Sequence, residues 1–370
     1  MVGERHRKGY SVALSTVAPV RTWWGCWLRF YFAWLAPRYA KFGMRSFKRL
    51  SILNIARWSL IEREPGTPPG GNGRLPKPYL VFESNFNGNT DHYLEAFAMV
   101  APTALRAAWG IYGTGAYDVP DPKKVSKFIT YVNDNRSRVL HHYCAYPQAS
   151  TKVVRTALRT QELLAAFQAE AHRADAARLN EAWESLLEGV EAINDPAPPR
   201  RNARTHSFTA LTAIKSAERT AMREEFERLE QDPEPFPPTT HFARWSYVDS
   251  LKPPPRMKRD PTSYLMFSAW FDDCVPQYLT NLYEHLGSER VNHIWGPCGF
   301  TGQTPAQLRQ FLLNHVVKEG LAVAAYDGVT VEEVLWALKI ANRLSAASVE
   351  LQGMRGEALR DQLRQRQLLE

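Results

Sequence analysis

Apolar and polar residues alternate from Ile55 to Ile61 and again from Phe242 to Val248. This period-2 pattern predicts half-buried strands. Pro-rich and Gly-rich connectors follow, Glu64 to Gly73 in the first case and Lys252 to Pro255 in the second, and these are loop compositions. The continuous apolar runs Tyr79–Phe86 and Tyr264–Phe271 then predict fully buried strands. Asn87, Asn89, Thr90 and Asp91 supply capping chemistry for an amphipathic helix over His92–Val100. In the second stretch Asp272 and Asp273 precede a helix over Val275–Leu286, with Pro276 in its first turn. Next come a strand ending at Trp109-Gly110 or Trp295-Gly296, and a short helix over 123–133 or 305–318. A strand over 139–146 or 321–326 and a last helix over 151–167 or 331–346 complete each series.

The two series are one pattern written twice. Ala56-Arg57-Trp58-Ser59-Leu60-Ile61-Glu62 matches Ala243-Arg244-Trp245-Ser246-Tyr247-Val248-Asp249. Tyr93-Leu94 matches Tyr278-Leu279, and Ala145-Tyr146 matches Ala325-Tyr326. Internal repetition of this kind governs the whole fold. The pattern predicts an α+β chain with two tandem ferredoxin-like repeats, 51–167 and 238–349, packed sheet to sheet. Their order of elements reads as a permuted or strand-swapped βαββαβ. Residues 168–237 read as a helical insertion or linker, and 350–370 as a polar helical tail.

Charge changes the picture at the N-terminus only. The net charge is +8, but residues 1–50 hold ten Lys and Arg against Glu4 alone. The remainder is close to neutral, which excludes a nucleic-acid reading for the repeats. Residues 20–36 are dense in Trp, Tyr and Phe. Wound as a helix they place Arg21, Gly25 and Arg29 on one face, and Trp23, Trp24, Trp27 and Trp34 over much of the rest. Arg38 and Lys41 follow. Aromatic rings favour the headgroup zone, and basic residues gain about 1 kcal/mol each near an anionic leaflet. The expectation is an amphipathic leader, residues 1–50, lying on an anionic membrane surface. An aromatic helix packed on the repeats is the alternative. Four scattered cysteines suit a reducing, cytoplasmic setting. The chain would thus be cytoplasmic and peripherally attached to the membrane.

The tandem pattern resembles the dimeric α+β barrel superfamily, and within it the haem-binding branch of dye-decolorising peroxidases and chlorite-dismutase-like proteins. That resemblance is one of architecture, because the GxxDG motif of the peroxidases is absent. The run Phe82 to Gly88 also resembles a bacterial family without an assigned activity. The haem branch implies an axial histidine, for which His315 is the candidate, with His293 next. Arg244 and His293 are candidate catalytic residues, and Arg57 and Arg244 could hold a carboxylate or propionate. A sheet-edge charge is the plainer reading of both arginines. No P-loop, GxSxG or HExxH motif is present. The expected function is a membrane-surface protein that is either a haem-dependent, peroxidase-like oxidoreductase or a binder of a small apolar molecule. The alternative is a non-catalytic binding or scaffold protein on the same surface.

Overall fold

The runs Tyr79–Phe86 and Tyr264–Phe271 are apolar on both sides, so these two strands need cover on two faces. The computed structural model describes residues 11–38, 51–67, 73–100, 102–110, 125–194, 205–215, 219–232, 234–249, 251 and 262–369. Eight strands form two four-stranded antiparallel sheets. The first contains β1 (Ser11–Pro19), β2 (Leu53–Arg63), β3 (Arg74–Asn87) and β8 (Glu319–Ala324), ordered β1-β3-β2-β8. The second contains β4 (Arg138–Cys144), β5 (His206–Ile214), β6 (Thr240–Val248) and β7 (Ser263–Phe271), ordered β4-β6-β7-β5. Each half of the chain therefore sends its last strand to the sheet of the other half.

The sheets also touch at two matching seams. Ser137 N–H donates to the Ser15 carbonyl and Val17 N–H to that of Asn135, while Thr16 bridges Arg136. In the other half Val317 N–H donates to the Thr209 carbonyl and Leu211 N–H to that of His315, while Ala210 bridges Val316.

Helices cover the outer faces. α1 (Thr22–Arg38), α2 (Thr90–Val100), α3 (Pro102–Trp109) and α4 (Val125–Asp134) lie with the first sheet. α7 (Arg219–Leu229), α8 (Val275–Trp295) and α9 (Pro305–Asn314) lie with the second. Their cores match: Trp58, Phe82, Phe97 and Trp109 pack ring to ring under the first group. Trp245, Phe267 and Trp295 do so under the second. A further cluster joins α5 (Thr151–Ala171) and α6 (Ala176–Glu191) to α10 (Val331–Glu350) and α11 (Gly356–Gln365).

Several elements differ from the sequence expectation. β1 lies inside the segment expected to be a leader, and it pairs along all nine residues with β3. Within the expected helical insertion over 168–237, His206–Ile214 is the strand β5, followed by α7. The runs ending at Trp109 and Trp295 are helical, because Leu105, Ala108 and Trp109 follow the 3.6-residue period and bury one face. Each half therefore runs strand, helix, strand, strand, helices, strand, helix, helix, with no permutation. α6 occupies the same place after α5 that α11 occupies after α10, so the expected insertion and tail are corresponding helices. The tail buries Leu359, Leu363, Leu368 and Leu369.

Candidate functional site

The interior between the sheets is built in layers. Leu211, Val248, Tyr264, Met266, Tyr79 and Val81 fill one end. The middle layer is ionic. Arg57 on β2 and Arg244 on β6 are 1% and 2% exposed, so neither is a sheet-edge charge. Arg57 donates from Nε (3.1 Å) and Nη2 to Glu83 Oε2 on β3, and its guanidinium lies 5.2 Å above the Trp270 ring. Arg244 Nε lies 3.9 Å from Glu83 Oε1. Arg244 also donates to the Leu14 and Ser84 carbonyls at 2.8 and 3.1 Å and to Asn85 Oδ1. Ser268 donates to Glu83 Oε1, and Thr209 donates to Oε2 at 3.1 Å.

Ser268 stands on β7 where Glu83 stands on β3, so one carboxylate serves both arginines. Burial would raise the Glu83 pKa, but Arg57, Arg244 and the two hydroxyls outweigh it and hold the carboxyl below its usual range. Burial, and beyond it the neighbouring Arg57, pulls the Arg244 pKa down to about 10 against the opposing effect of Glu83. Arg244 stays charged at neutral pH. It is enclosed on every side and touches no surface from which a substrate could approach.

His315 caps the end of α9 and is not within it. Its Nδ1 donates to the Phe311 carbonyl at 2.8 Å. Its Nε2 lies against Gly66, where even a Cβ would approach to 2.6 Å. Neither nitrogen is presented to a planar cofactor, so this residue does not fit an axial ligand. His293 lies on α8, not on a strand, and its Nδ1 meets Glu225 Oε2 at 3.0 Å. Arg290 flanks the same carboxylate at 3.5 Å. Among the described residues no group of three or more His, Cys, Asp and Glu is placed to hold a metal, and all four cysteines are free.

The membrane-facing expectation meets a different geometry. α1 docks on the sheet through Leu28 and Phe32, both buried. Gly320 on β8 permits this contact, since a Cβ there would lie 2.5 Å from the Phe32 ring. The opposite face exposes Trp23 (54%), Trp27 (42%), Phe30 (67%) and Trp34 (48%). Their spacing of four, three and four residues puts them on one stripe. Trp24 is not on it; it turns inward and donates Nε1–H to the Ala108 carbonyl at 3.2 Å. Arg21 is exposed, and Arg29 is exposed with Nη1 3.6 Å from Glu62. Arg38 closes α1, and Lys41 lies outside the described residues. Phe30 is the most exposed ring and was not singled out from the sequence, although its helical spacing from Trp23, Trp27 and Trp34 was visible there.

α7 is the counterpart of α1 in the second half: Phe226 follows the bridging residue Ala210 by 16 positions, as Phe32 follows Thr16. Met222, Phe226 and Leu229 take the inward places of Leu28, Phe32 and Leu35. At the places of Phe30 and Trp34, α7 carries the exposed Glu224 and Arg228, and by the same count Ala221 stands in sequence at the place of Trp27. The fold thus accepts a charged outer face at this position, and the aromatic face of α1 is not a requirement of packing. No helix among the described residues is long and apolar enough to cross a membrane. No protein-family model matches the chain, and no curated protein matches it.

Proposed function

We propose that this chain is a membrane-surface binding protein built on two tandem ferredoxin-like repeats, closed into a barrel of the dimeric α+β type. The exchanged last strands and the two hydrogen-bonded seams support that architecture. The observation that carries the function is the exposed aromatic stripe of α1, set against the charged face of its counterpart α7. Four rings with roughly 100 Å² free on each form a patch of about 400 Å², the size at which exposed apolar surface marks an interaction site. At about 25 cal/mol per Å² the gross transfer gain is on the order of 10 kcal/mol. The occupant is an anionic bilayer surface, because Arg29 lies on the same helix, Arg21 immediately precedes it, and residues 1–50 carry nearly all the excess positive charge. α1 lies in the interface plane, as an amphipathic helix of this charge does.

The filled ionic interior and the half-buried His315, with Nδ1 bonded to the Phe311 carbonyl and Nε2 against Gly66, favour the binding or scaffold reading over a haem enzyme. Co-sedimentation of the full chain with vesicles tests the proposal. Binding is expected to anionic phosphatidylglycerol vesicles, weakening with salt as the charge contribution is screened while the aromatic contribution persists. Absence of binding at low salt would overturn it.

A further inference from the structure

At the end of the interior beneath α5 and α10, a second polar cluster crosses from one half of the chain to the other. β2 and β6 each carry a β-bulge at the same place, between Leu53 and Ile55 and between Thr240 and Phe242. A bulge re-aims one side chain, and here it turns Asn54 and His241 toward the tyrosines Tyr146 and Tyr326. On the first side the arrangement is neutral: Asn54 Nδ2 donates to Asn87 Oδ1 at 3.0 Å. On the second side the same two places hold His241 and Asp272, 2.7 Å apart.

The hydrogen bonds form a directed chain. Ionised Asp272 can only accept, so His241 donates from Nε2. Its Nδ1 is left to accept the Tyr146 hydroxyl at 2.8 Å. Tyr326 donates to the Tyr146 oxygen at 2.9 Å and also faces Asn54 Oδ1 at 3.3 Å. Asp272 Oδ2 accepts the Val331 N–H at the start of α10, which favours its negative charge. Tyr146, Tyr326 and His241 are buried, whereas the Asp272 side chain is 17% exposed. Burial, first of all, holds the Tyr146 hydroxyl protonated, with its pKa raised well above the ordinary value.

We propose that Tyr146 is a one-electron redox site, with His241 as its proton acceptor and Asp272 as the countercharge. An outer-sphere one-electron oxidant removes an electron from the Tyr146 ring. The phenolic proton moves to His241 Nδ1, leaving a neutral tyrosyl radical and an imidazolium ion paired with the Asp272 carboxylate. Reduction returns the electron, and the proton moves back from Nδ1. The buried phenol has no other route to lose its proton cheaply, and the imidazolium is compensated 2.7 Å away. Tyr326 tunes the radical through its hydrogen bond to the Tyr146 oxygen. This inference does not depend on membrane binding.

The test is photo-oxidation of the full chain with a ruthenium tris-bipyridine oxidant and a sacrificial acceptor, read by electron paramagnetic resonance. A tyrosyl signal is expected that narrows with ring-deuterated tyrosine, disappears in Tyr146→Phe and changes its hyperfine pattern in Tyr326→Phe. The decisive variant is the double substitution His241→Asn with Asp272→Asn. It copies the solution that Asn54 and Asn87 already provide in the first half, so the fold has a precedent for it. Its signal should fall at least tenfold, with an unchanged circular-dichroism spectrum. A tyrosyl signal that survives Tyr146→Phe, a signal from tryptophan alone, or a double variant as active as the wild type would overturn the assignment.

Discussion

Among the described residues Glu83 is the only carboxylate paired with the two fully buried arginines, and its removal is the sharpest perturbation of the core. In Glu83→Ser the position becomes identical to its counterpart Ser268. Arg57 then loses both of its bonds to Oε2, and Arg244 loses the charge 3.9 Å from its Nε. Two guanidinium groups remain in an interior from which water is excluded, and breaking a buried pair in this way costs about 3–5 kcal/mol. The second half of the experiment moves the carboxylate across. Position 268 faces the same arginines, so Glu83→Ser with Ser268→Glu should regain most of the loss. Urea denaturation at neutral pH measures both. Acid titration gives an independent check. The folded pKa of Glu83 lies below that of the unfolded chain, about 4.3. Its stabilisation is therefore fully present above that value and is lost as pH falls through the folded pKa. Glu83→Ser should flatten that acid limb. A loss below about 1 kcal/mol in the single variant, or no recovery in the double, would refute the single-carboxylate account.

His141 on β4 is buried between Phe236 and Trp245, and burial pulls its pKa from 6.5 to about 4. It is carried neutral in the fold, so its contribution is complete above about 6.5 and fades toward pH 4. His142 next to it is pulled lower still, to about 3, by burial first and then by Arg244 and His141. His141→Phe should therefore remove about half of the pH dependence of the unfolding midpoint across that window and leave the part due to His142. Gly320→Ala places a Cβ against the Phe32 ring and 2.9 Å from the Trp58 carbonyl. It should cost about 1–3 kcal/mol in thermal or urea unfolding and loosen α1 from the sheet, raising its hydrogen-exchange rate. Removal of residues 1–38 deletes β1 together with α1, so the remainder should be recovered unfolded or aggregated, as judged by circular dichroism and gel filtration.

The inner strands were legible because their residues are large and β-forming. Tyr79–Phe86 and Tyr264–Phe271 carry so many apolar side chains that only a buried strand suits them. β1 and β5 were not legible for the opposite reason. Ser11–Pro19 and His206–Ile214 are rich in Ala, Ser and Thr, whose small side chains fit where helices and the opposing sheet press close, and such runs read as leader or linker. The exchange of β4 and β8 between sheets is set by long-range pairing that no local pattern records. The two arginines were noticed from their repetition, but their burial depends on Glu83, which has no counterpart in the second half. Asn54 and His241 carried no sequence signal as a pair, since their equivalence appears only once the two bulges are superposed. The aromatic stripe was visible in outline, and the structure separated Trp24, which turns inward, from Trp27, Phe30 and Trp34, which stay exposed.

The central claim is that the outward face of α1 enters a membrane surface, and the chain contains its own control. Replacing Trp27 by Ala, Phe30 by Glu and Trp34 by Arg gives α1 the residues at the corresponding sequence positions of α7, leaves Leu28 and Phe32 in place and leaves the net charge unchanged. Co-sedimentation with phosphatidylglycerol vesicles over a range of lipid concentrations measures the result. Partitioning should fall at least tenfold with an unaltered unfolding midpoint, leaving a residual binding that salt abolishes. Partitioning equal to that of the wild type would contradict the claim and place the membrane contact, if there is one, away from α1.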